Sequence, residues 1–165
     1  MTTYDRRMGK KQDKVEDFLG EAGAFAEGET FVTAAKAMPL GGMAGLSKSS
    51  SLYMFGAVGA IAATVRDSRA PSPTELEAKI KKGLYLALTS QRLFLVAIGG
   101  LGNAPREIAA ILDRSAIQSV EMGTTRVSMI KLPTLTLHLG PEESIAFEFA
   151  KPDAKDAEHL YQSMQ

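Results

Sequence analysis

From residue 84 to residue 149 the chain repeatedly alternates apolar and polar side chains at a period of two residues. The alternation is most regular in two neighbouring runs, whose apolar members are Leu135, Leu137 and Leu139, then Ile145, Phe147 and Phe149. Because alternate side chains of a strand point to the same face, the two runs and the turn at residues 140–143 predict a β-hairpin. The six apolar side chains are expected to share one core.

Further strands are predicted before this hairpin. Residues 84–89 alternate, a tight turn at Ser90 and Gln91 follows, and residues 92–98 are almost continuously apolar, which is typical of a strand buried on both faces. Residues 107–112 and 117–122 predict weaker strands. Val127 and Met129 indicate one more strand, broken at residues 131–133. Nearer the start of the chain, residues 29–38 predict a first strand that ends at Pro39.

The last segment of the chain predicts a helix with one apolar face. It begins at Pro152 and Asp153, and its apolar positions recur at helical spacing: Ala154, Ala157, Leu160, Tyr161 and Met164. One early strand, about six later antiparallel strands and a final helix together predict a mainly β domain. We expect a strongly bent sheet or partly open barrel, with the helix capping an open end.

Residues 39–73 interrupt this pattern as an insertion. They begin with Gly and Ser, continue with an apolar stretch at residues 52–65, and end in a charged segment that contains Pro. Because structureless loops of this length are uncommon in compact domains, we expect an ordered insertion that is helical for part of its length. Gly and Ala dilute the apolar stretch too much for it to span a bilayer, which takes roughly 20 strongly apolar residues.

The N-terminal segment and the composition set further expectations. Residues 1–12 are polar and basic and predict a disordered tail, followed by a short helix from Asp13 to about Gly20. Residues 13–165 then predict a single domain. The tail lacks the apolar centre of a signal peptide and the chain has no Cys, so we expect a cytoplasmic protein without disulfides or Cys-ligated metals. The formal net charge is zero, which gives no reason to expect nucleic-acid binding.

No motif predicts catalysis or a cofactor. The Gly/Ser-rich loop at residues 42–49 resembles a nucleotide-binding P-loop, but Ser47 stands where the second Gly is needed for the backbone to wrap phosphates. Gly100 and Gly102 match only part of a dinucleotide fingerprint. The two histidines, His138 and His159, lack the spacing of metal ligands and are predicted to lie on the surface. No catalytic, cofactor-binding or metal-ligating residue is therefore assigned.

Residues 84–98 resemble the start of a bacterial pleckstrin-homology-like (PH-like), or GRAM-like, domain. The resemblance lies in a strand, the turn Leu88-Thr89-Ser90-Gln91-Arg92-Leu93 and a second apolar strand, and the later hairpin and final helix follow in matching order. It covers about residues 29–38 and 83–164. It implies two near-orthogonal antiparallel sheets capped by the C-terminal helix, and binding of lipids, peptides or other domains. The insertion departs from the family pattern, so no ligand site is carried over.

Three functions remain open. The first is a non-enzymatic interaction or scaffolding module that self-associates or docks a protein partner through small and apolar residues of the insertion. These are Leu52, Phe55, Gly56, Gly59, Ala60 and Ala63. The same stretch could instead pack on its own barrel or lie in a membrane interface. The second function is peripheral binding to anionic lipid through the basic residues Arg66, Arg69, Lys79, Lys81 and Lys82. The third is nucleotide binding at residues 42–49.

Overall fold

The computed structural model of the protein describes residues 3–40, 73–141 and 144–165. These residues form three α-helices, seven β-strands and three short 3₁₀ turns. In chain order the helices and strands are α1 (Thr3–Glu21), β1 (Phe31–Pro39), α2 (Pro73–Ile80), β2 (Leu84–Thr89), β3 (Arg92–Gly99), β4 (Ala104–Asp113), β5 (Ser119–Val127), β6 (Ile130–His138), β7 (Ser144–Glu148) and α3 (Ala154–Met164). The 3₁₀ turns are Leu101–Asn103, Arg114–Ala116 and Lys151–Asp153.

The seven strands form one antiparallel sheet in the order β4-β3-β2-β1-β7-β6-β5. β1 joins its two halves. From Phe31 to Ala37 it pairs with β2, whereas its last residues pair with β7, with Met38 opposite Glu148. β4 and β5 are the two outermost strands, so the sheet is not closed into a complete barrel. The mainly β class, the antiparallel pairing, the open sheet and the C-terminal helix agree with the prediction.

β2 and β3 are buried on both faces because two apolar cores lie on either side of them. Leu86 and Leu95 belong to a core that also contains residues of β6, β7, α2 and α3. Their neighbours Tyr85 and Phe94 face a second core, which includes Val15 and Leu19 of α1 and is therefore covered by that helix. The continuous apolar run at residues 92–98 is explained by this double burial, as predicted.

The six apolar side chains of the predicted hairpin all lie in the first core: Leu135, Leu137, Leu139, Ile145, Phe147 and Phe149. The terminal helix packs on the same core through Ala157 and Leu160, which are buried, while Tyr161 and Met164 are partly buried against it. Both predictions are confirmed, except that Ala154, the first predicted member of the helix face, is not among the residues packed on this core.

The region between residues 119 and 138 differs from the prediction. No separate strand forms around Val127 and Met129. β5 runs to Val127, Ser128 and Met129 form a two-residue turn, and β6 continues without a break through Pro133, which lies opposite Thr124. In a two-residue hairpin the residues that flank the turn share hydrogen bonds, so by alternation Pro133 lies at a position whose N–H would point away from β5. Its missing N–H therefore costs the β5–β6 ladder nothing.

The N-terminal helix is longer than predicted. α1 begins at Thr3 rather than at Asp13, and it includes residues assigned from sequence to a disordered basic tail. The reason is tertiary: Lys11 and Gln12 make side-chain hydrogen bonds to residues of α3 and β1 and to the turn before α3. The insertion at residues 39–73 lies outside the described residues except at its two ends, where Pro39 ends β1 and Pro73 begins α2. Among the described residues, no helix combines the length and apolarity required to cross a membrane.

Candidate functional site

All six residues of the predicted partner-contact site lie outside the residues that the structure describes. They are Leu52, Phe55, Gly56, Gly59, Ala60 and Ala63, and the same is true of Arg66, Arg69 and the Gly/Ser-rich loop at residues 42–49. The self-association site, the apolar insertion and the nucleotide loop therefore stay predictions. Of the predicted anionic-surface residues, Lys81 and Lys82 are exposed after α2, whereas Lys79 lies 3.7 Å from Glu107 in a partly exposed ion pair.

The Thr and Arg of the Leu-Thr-x-x-Arg-Leu turn, Thr89 and Arg92, form hydrogen bonds that hold the β2–β3 turn against the segment after α1. The Arg92 guanidinium donates two hydrogen bonds to the Glu29 carboxylate and one to the carbonyl of Ala24, 2.7 Å away. The Thr89 hydroxyl also donates to Glu29, and it accepts the backbone N–H of Arg92 at 2.9 Å. Burial opposes ionisation of Glu29, but hydrogen bonds from Arg92, Ala26 and Thr89 prevail and lower the pKa of its carboxyl. The motif thus fastens the segment after α1 to the β2–β3 turn.

A second polar cluster joins α1 to the start of α3. The Lys11 ammonium lies 2.6 Å from Asp153 Oδ1 and 3.1 Å from Asp156 Oδ2, and both carboxylates are almost fully buried. Burial alone would lower the pKa of Lys11, but its hydrogen bonds and charge interactions with the two aspartates raise that pKa above its ordinary value. One cation is shared by two carboxylates and donates a hydrogen bond to each, as in structural ion-pair networks. We therefore assign them to the attachment of α1.

Gln12 hydrogen-bonds to the backbone of β1 on the side that faces away from β2. Its side-chain amide accepts the N–H of Ala34 at 2.6 Å and donates to the carbonyl of the same residue at 2.9 Å. Thr33 Oγ1 is within 3.1 Å of Gln12 Nε2 and 3.0 Å of His159 Nδ1. The backbone of β1 at Ala34 is therefore already satisfied. His159 takes part in this network as a hydrogen-bonding group.

His138 does not meet His159 in a metal site. Its Nε2 atom lies 3.1 Å from Glu121 Oε2, across the β5–β6 pair. Across residues 3–40, 73–141 and 144–165, acidic and histidine side chains are nowhere grouped in threes that could hold a metal ion.

The two outermost strands of the sheet differ in how they are protected. β4 begins with Ala104 and Pro105, contains an extra residue at Arg106 and another at Ala109 relative to β3, and is contacted by both α1 and α2. Pro, bulges and covering helices are the usual devices that prevent another strand from pairing with an edge. β5 has neither Pro nor Lys, and its residues pair with β6 without a register shift from Ser119 to Val127.

The two-residue turn determines which backbone groups of β5 face outward. Because Val127 and Ile130 flank the turn, they form a hydrogen-bonded pair, and such pairs alternate along an antiparallel ladder. The N–H and C=O groups that point away from β6 are therefore those of four alternate residues: Val120, Met122, Thr124 and Arg126. We refer to this row of backbone groups as the β5 edge. No other strand among the described residues pairs with it.

A cleft of about 350 Å³ lies at the beginning of β5, beside the C-terminal end of α3. Its apolar walls come from Ile117, Val120 and Met164. Arg114 forms part of the polar wall, and it is held there because its guanidinium donates to the carbonyls of Thr89 at 3.3 Å and Ser163 at 3.2 Å. The remaining lining residues are Gln118, Ser119 and Gln165. We refer to this space as the β5 cleft.

Sequence reasoning found neither the β5 edge nor the β5 cleft. The lack of Pro and Lys in residues 119–127 was visible in the sequence. This lack indicates an unprotected edge only when β5 is known to be an outermost strand, and that depends on the strand order of the whole sheet.

Comparisons with protein-family models and with curated proteins find no match to the chain. Among solved structures, the chain is similar to a crystal structure of a pleckstrin homology domain from Shewanella amazonensis SB2B. The two share 13% sequence identity over 92% of each chain, with a TM-score of 0.48. A likeness of this size does not transfer a binding site or function. The order and pairing of the strands and the place of α3 agree by themselves with a PH-like architecture. The narrower GRAM-like assignment stays a prediction.

Proposed function

We propose that the protein is a non-catalytic interaction module that binds an extended segment of a partner protein along the β5 edge. The observation that carries the proposal is the contrast between the two outermost strands: β4 has a Pro, two extra residues and contacts from two helices, while β5 has no Pro and no extra residue and, among the described helices, is contacted by α3. An unprotected edge strand presents a row of donors and acceptors that a further strand can pair with.

The β5 cleft gives this mode of binding a means of selection. A segment that pairs with the β5 edge directs alternate side chains to the two faces of the sheet. Near Val120, one of them can enter the cleft beside Ile117 and Met164. Arg114 already donates to two backbone carbonyls, so it serves as a fixed wall of the cleft more than as a free cation. Because the lining combines apolar side chains with polar ones, a partner side chain with an apolar stem and a polar end suits this position best.

Two alternatives are supported less. The first alternative is binding of anionic lipid through the basic flank of the insertion. Lys81 and Lys82 are exposed and available for this binding, but the charge of Lys79 is partly neutralised by Glu107. Self-association through residues 52–65 concerns residues that the structure does not describe. Both stay open as predictions from the sequence.

The decisive variant is Thr124→Pro, because the Thr124 N–H faces outward and its loss removes no hydrogen bond to β6. Peptides selected from a random phage-displayed library on the wild-type protein serve as the ligand, and binding is measured by calorimetry. Thr124→Pro should weaken a selected peptide by about tenfold or more, since it removes a main-chain hydrogen bond and places a ring where the partner strand must lie. The control Thr124→Ala keeps the N–H and should bind normally.

Two results would refute the proposal. One is a selected peptide that binds Thr124→Pro and the wild type equally. The other is a dimer, detected by light scattering, that dissociates in Thr124→Pro, since the occupant of the β5 edge would then be a second copy of the chain. Circular dichroism and thermal unfolding of each variant verify that the fold is retained.

A further inference from the structure

The turn between β5 and β6 carries exposed apolar side chains that the core does not use. Met129 is 92% exposed and Ile130 is 47% exposed. The other large hydrophobic residues that the structure describes as exposed, Val32 and Leu101, are isolated from each other along the chain. Only in this turn are two such side chains adjacent within the described residues. We refer to residues 126–131 as the hairpin tip.

Two cations flank these apolar residues. Arg126 and Lys131 lie directly opposite each other in the β5–β6 register, and both are exposed. Like charges at directly opposed positions of an antiparallel pair destabilise the strands. Residues 122–133 contain no Asp or Glu, and among the described residues no carboxylate lies within ion-pair distance of either cation. An anionic partner would relieve the repulsion between the two cations.

The hairpin tip projects beyond the neighbouring strand. The β6–β7 pairing begins at Thr134, opposite Glu148, so the first residues of β6 have no partner in β7. Ser128 occupies the turn with a φ of 55°, a left-handed conformation that costs a non-glycine residue free energy. Met129, Ile130 and the two cations of the hairpin tip are thus exposed at the end of the β5–β6 hairpin.

From these observations we propose that the hairpin tip is a contact site for an anionic membrane surface. This proposal rests on different observations from the β5-edge proposal, and the two sites share only Arg126. A protein partner is a poorer fit, because specific protein interfaces bury about 800 Å² on each side, whereas the tip offers only two exposed apolar side chains, one in the turn and one at the start of β6. A bilayer interface accepts isolated apolar side chains, and anionic headgroups attract flanking Lys and Arg.

The test uses the full chain and sedimentation with vesicles of 70% phosphatidylcholine and 30% phosphatidylserine. Arg126→Gln/Lys131→Gln should reduce the partition coefficient by about 20- to 30-fold, because each cation near an anionic surface contributes about fivefold. Raising the salt concentration should weaken the wild type toward the same level. The matched control, Lys10→Gln/Lys14→Gln, removes two charges from exposed residues of α1 and should bind within about twofold of the wild type.

Insertion of the apolar side chains has its own readout, because the chain contains no Trp. Met129→Trp places a single indole at the hairpin tip. Its emission should shift to the blue with the anionic vesicles and be quenched by brominated acyl chains. Leu101→Trp, at a residue that is 100% exposed in the β3–β4 connection, is the control and should show neither change.

The proposal is overturned by any of four results. These are failure of the wild type to sediment with the anionic vesicles, binding that is independent of phosphatidylserine, equal binding by Arg126→Gln/Lys131→Gln, or an emission shift in the Leu101→Trp variant as large as that in the Met129→Trp variant. The first of these, together with binding to a soluble acidic protein, would assign the hairpin tip to protein recognition instead. Because all the substituted residues are exposed, loss of folding is not expected, and far-ultraviolet circular dichroism verifies this.

Discussion

The guanidinium of Arg92 and the carboxylate of Glu29, 63 positions apart in the chain, form a two-pronged ion pair. Arg92 Nε lies 3.1 Å from Glu29 Oε1, and Nη2 lies 2.5 Å from Oε2. The Glu29 side chain has no exposed surface, while that of Arg92 keeps 20%. Arg92 also stacks over the ring of Phe94, 4.8 Å from its centroid. This pair therefore fixes the segment that connects α1 to β1 against the β2–β3 turn.

Replacing Arg92 by Met should lower the free energy of unfolding by about 3–5 kcal/mol, because the buried carboxylate of Glu29 would lose its countercharge. Urea denaturation at pH 7 measures the change. Arg92→Lys should cost less, since a cation remains but the two-pronged geometry is lost. Arg126→Met, at an exposed position of the hairpin tip, is the control and should stay within about 0.5 kcal/mol of the wild type. A loss for Arg92→Met as small as that of the control would contradict this role.

Glu29 also predicts how stability depends on pH. Its pKa is lowered in the folded protein, so its contribution to stability is complete above the unfolded-state value of about 4.3 and is lost as the pH falls through the folded-state pKa. Glu29→Gln should therefore be less stable than the wild type at pH 7, and the difference should shrink below about pH 4.3. Urea denaturation between pH 7 and pH 3 follows this difference. A difference that stays constant or grows as the pH falls would contradict the assignment.

The strands at residues 84–98 and 134–149 and the terminal helix could be predicted from sequence because their side-chain period follows directly from burial. The β5–β6 turn could not. Ser128 and Met129 include none of the Gly, Asn or Asp residues that mark two-residue hairpins, and Pro133 indicated a break although its ring lies where no β5 hydrogen bond is needed. The local sequence pattern therefore predicted a strand end at residues 131–133, inside what the structure shows to be the continuous strand β6.

The first half of α1 was missed for a different reason. Its stabilising contacts are remote in sequence: Lys11 reaches Asp153, 142 positions away, and Gln12 reaches Ala34. No local signal reports a contact of that separation. The same applies to the β5 edge, whose exposure depends on the order of all seven strands and on which edges the helices cover.

Gly9 provides a test of the helical tail. A methyl group added there would meet no atom within 4 Å, and Gly within a helix is less favourable than Ala by about 1 kcal/mol. Gly9→Ala should therefore raise the free energy of unfolding by about 0.5–1 kcal/mol. Gly23 also has open space around it, but its φ is 63°, so Gly23→Ala should lower stability by about 1 kcal/mol. If Gly9→Ala has no effect while Gly23→Ala destabilises, residue 9 is not helical in the folded protein.

Phe147 tests the central assignment of the alternating pattern. It is completely buried in the core that contains residues of both halves of the sheet, and it lies opposite Leu135 in β6 and Pro39 in β1. Phe147→Ala should lower the free energy of unfolding by about 3–5 kcal/mol, from lost burial and from the cavity left between the strands. Phe147→Leu fills most of that space and should cost less. Met129→Ala, which truncates a side chain that is 92% exposed, is the control and should change stability by under about 0.5 kcal/mol. Urea denaturation of the three variants ranks them, and a loss below about 1 kcal/mol for Phe147→Ala would mean that this face of β7 does not line the core.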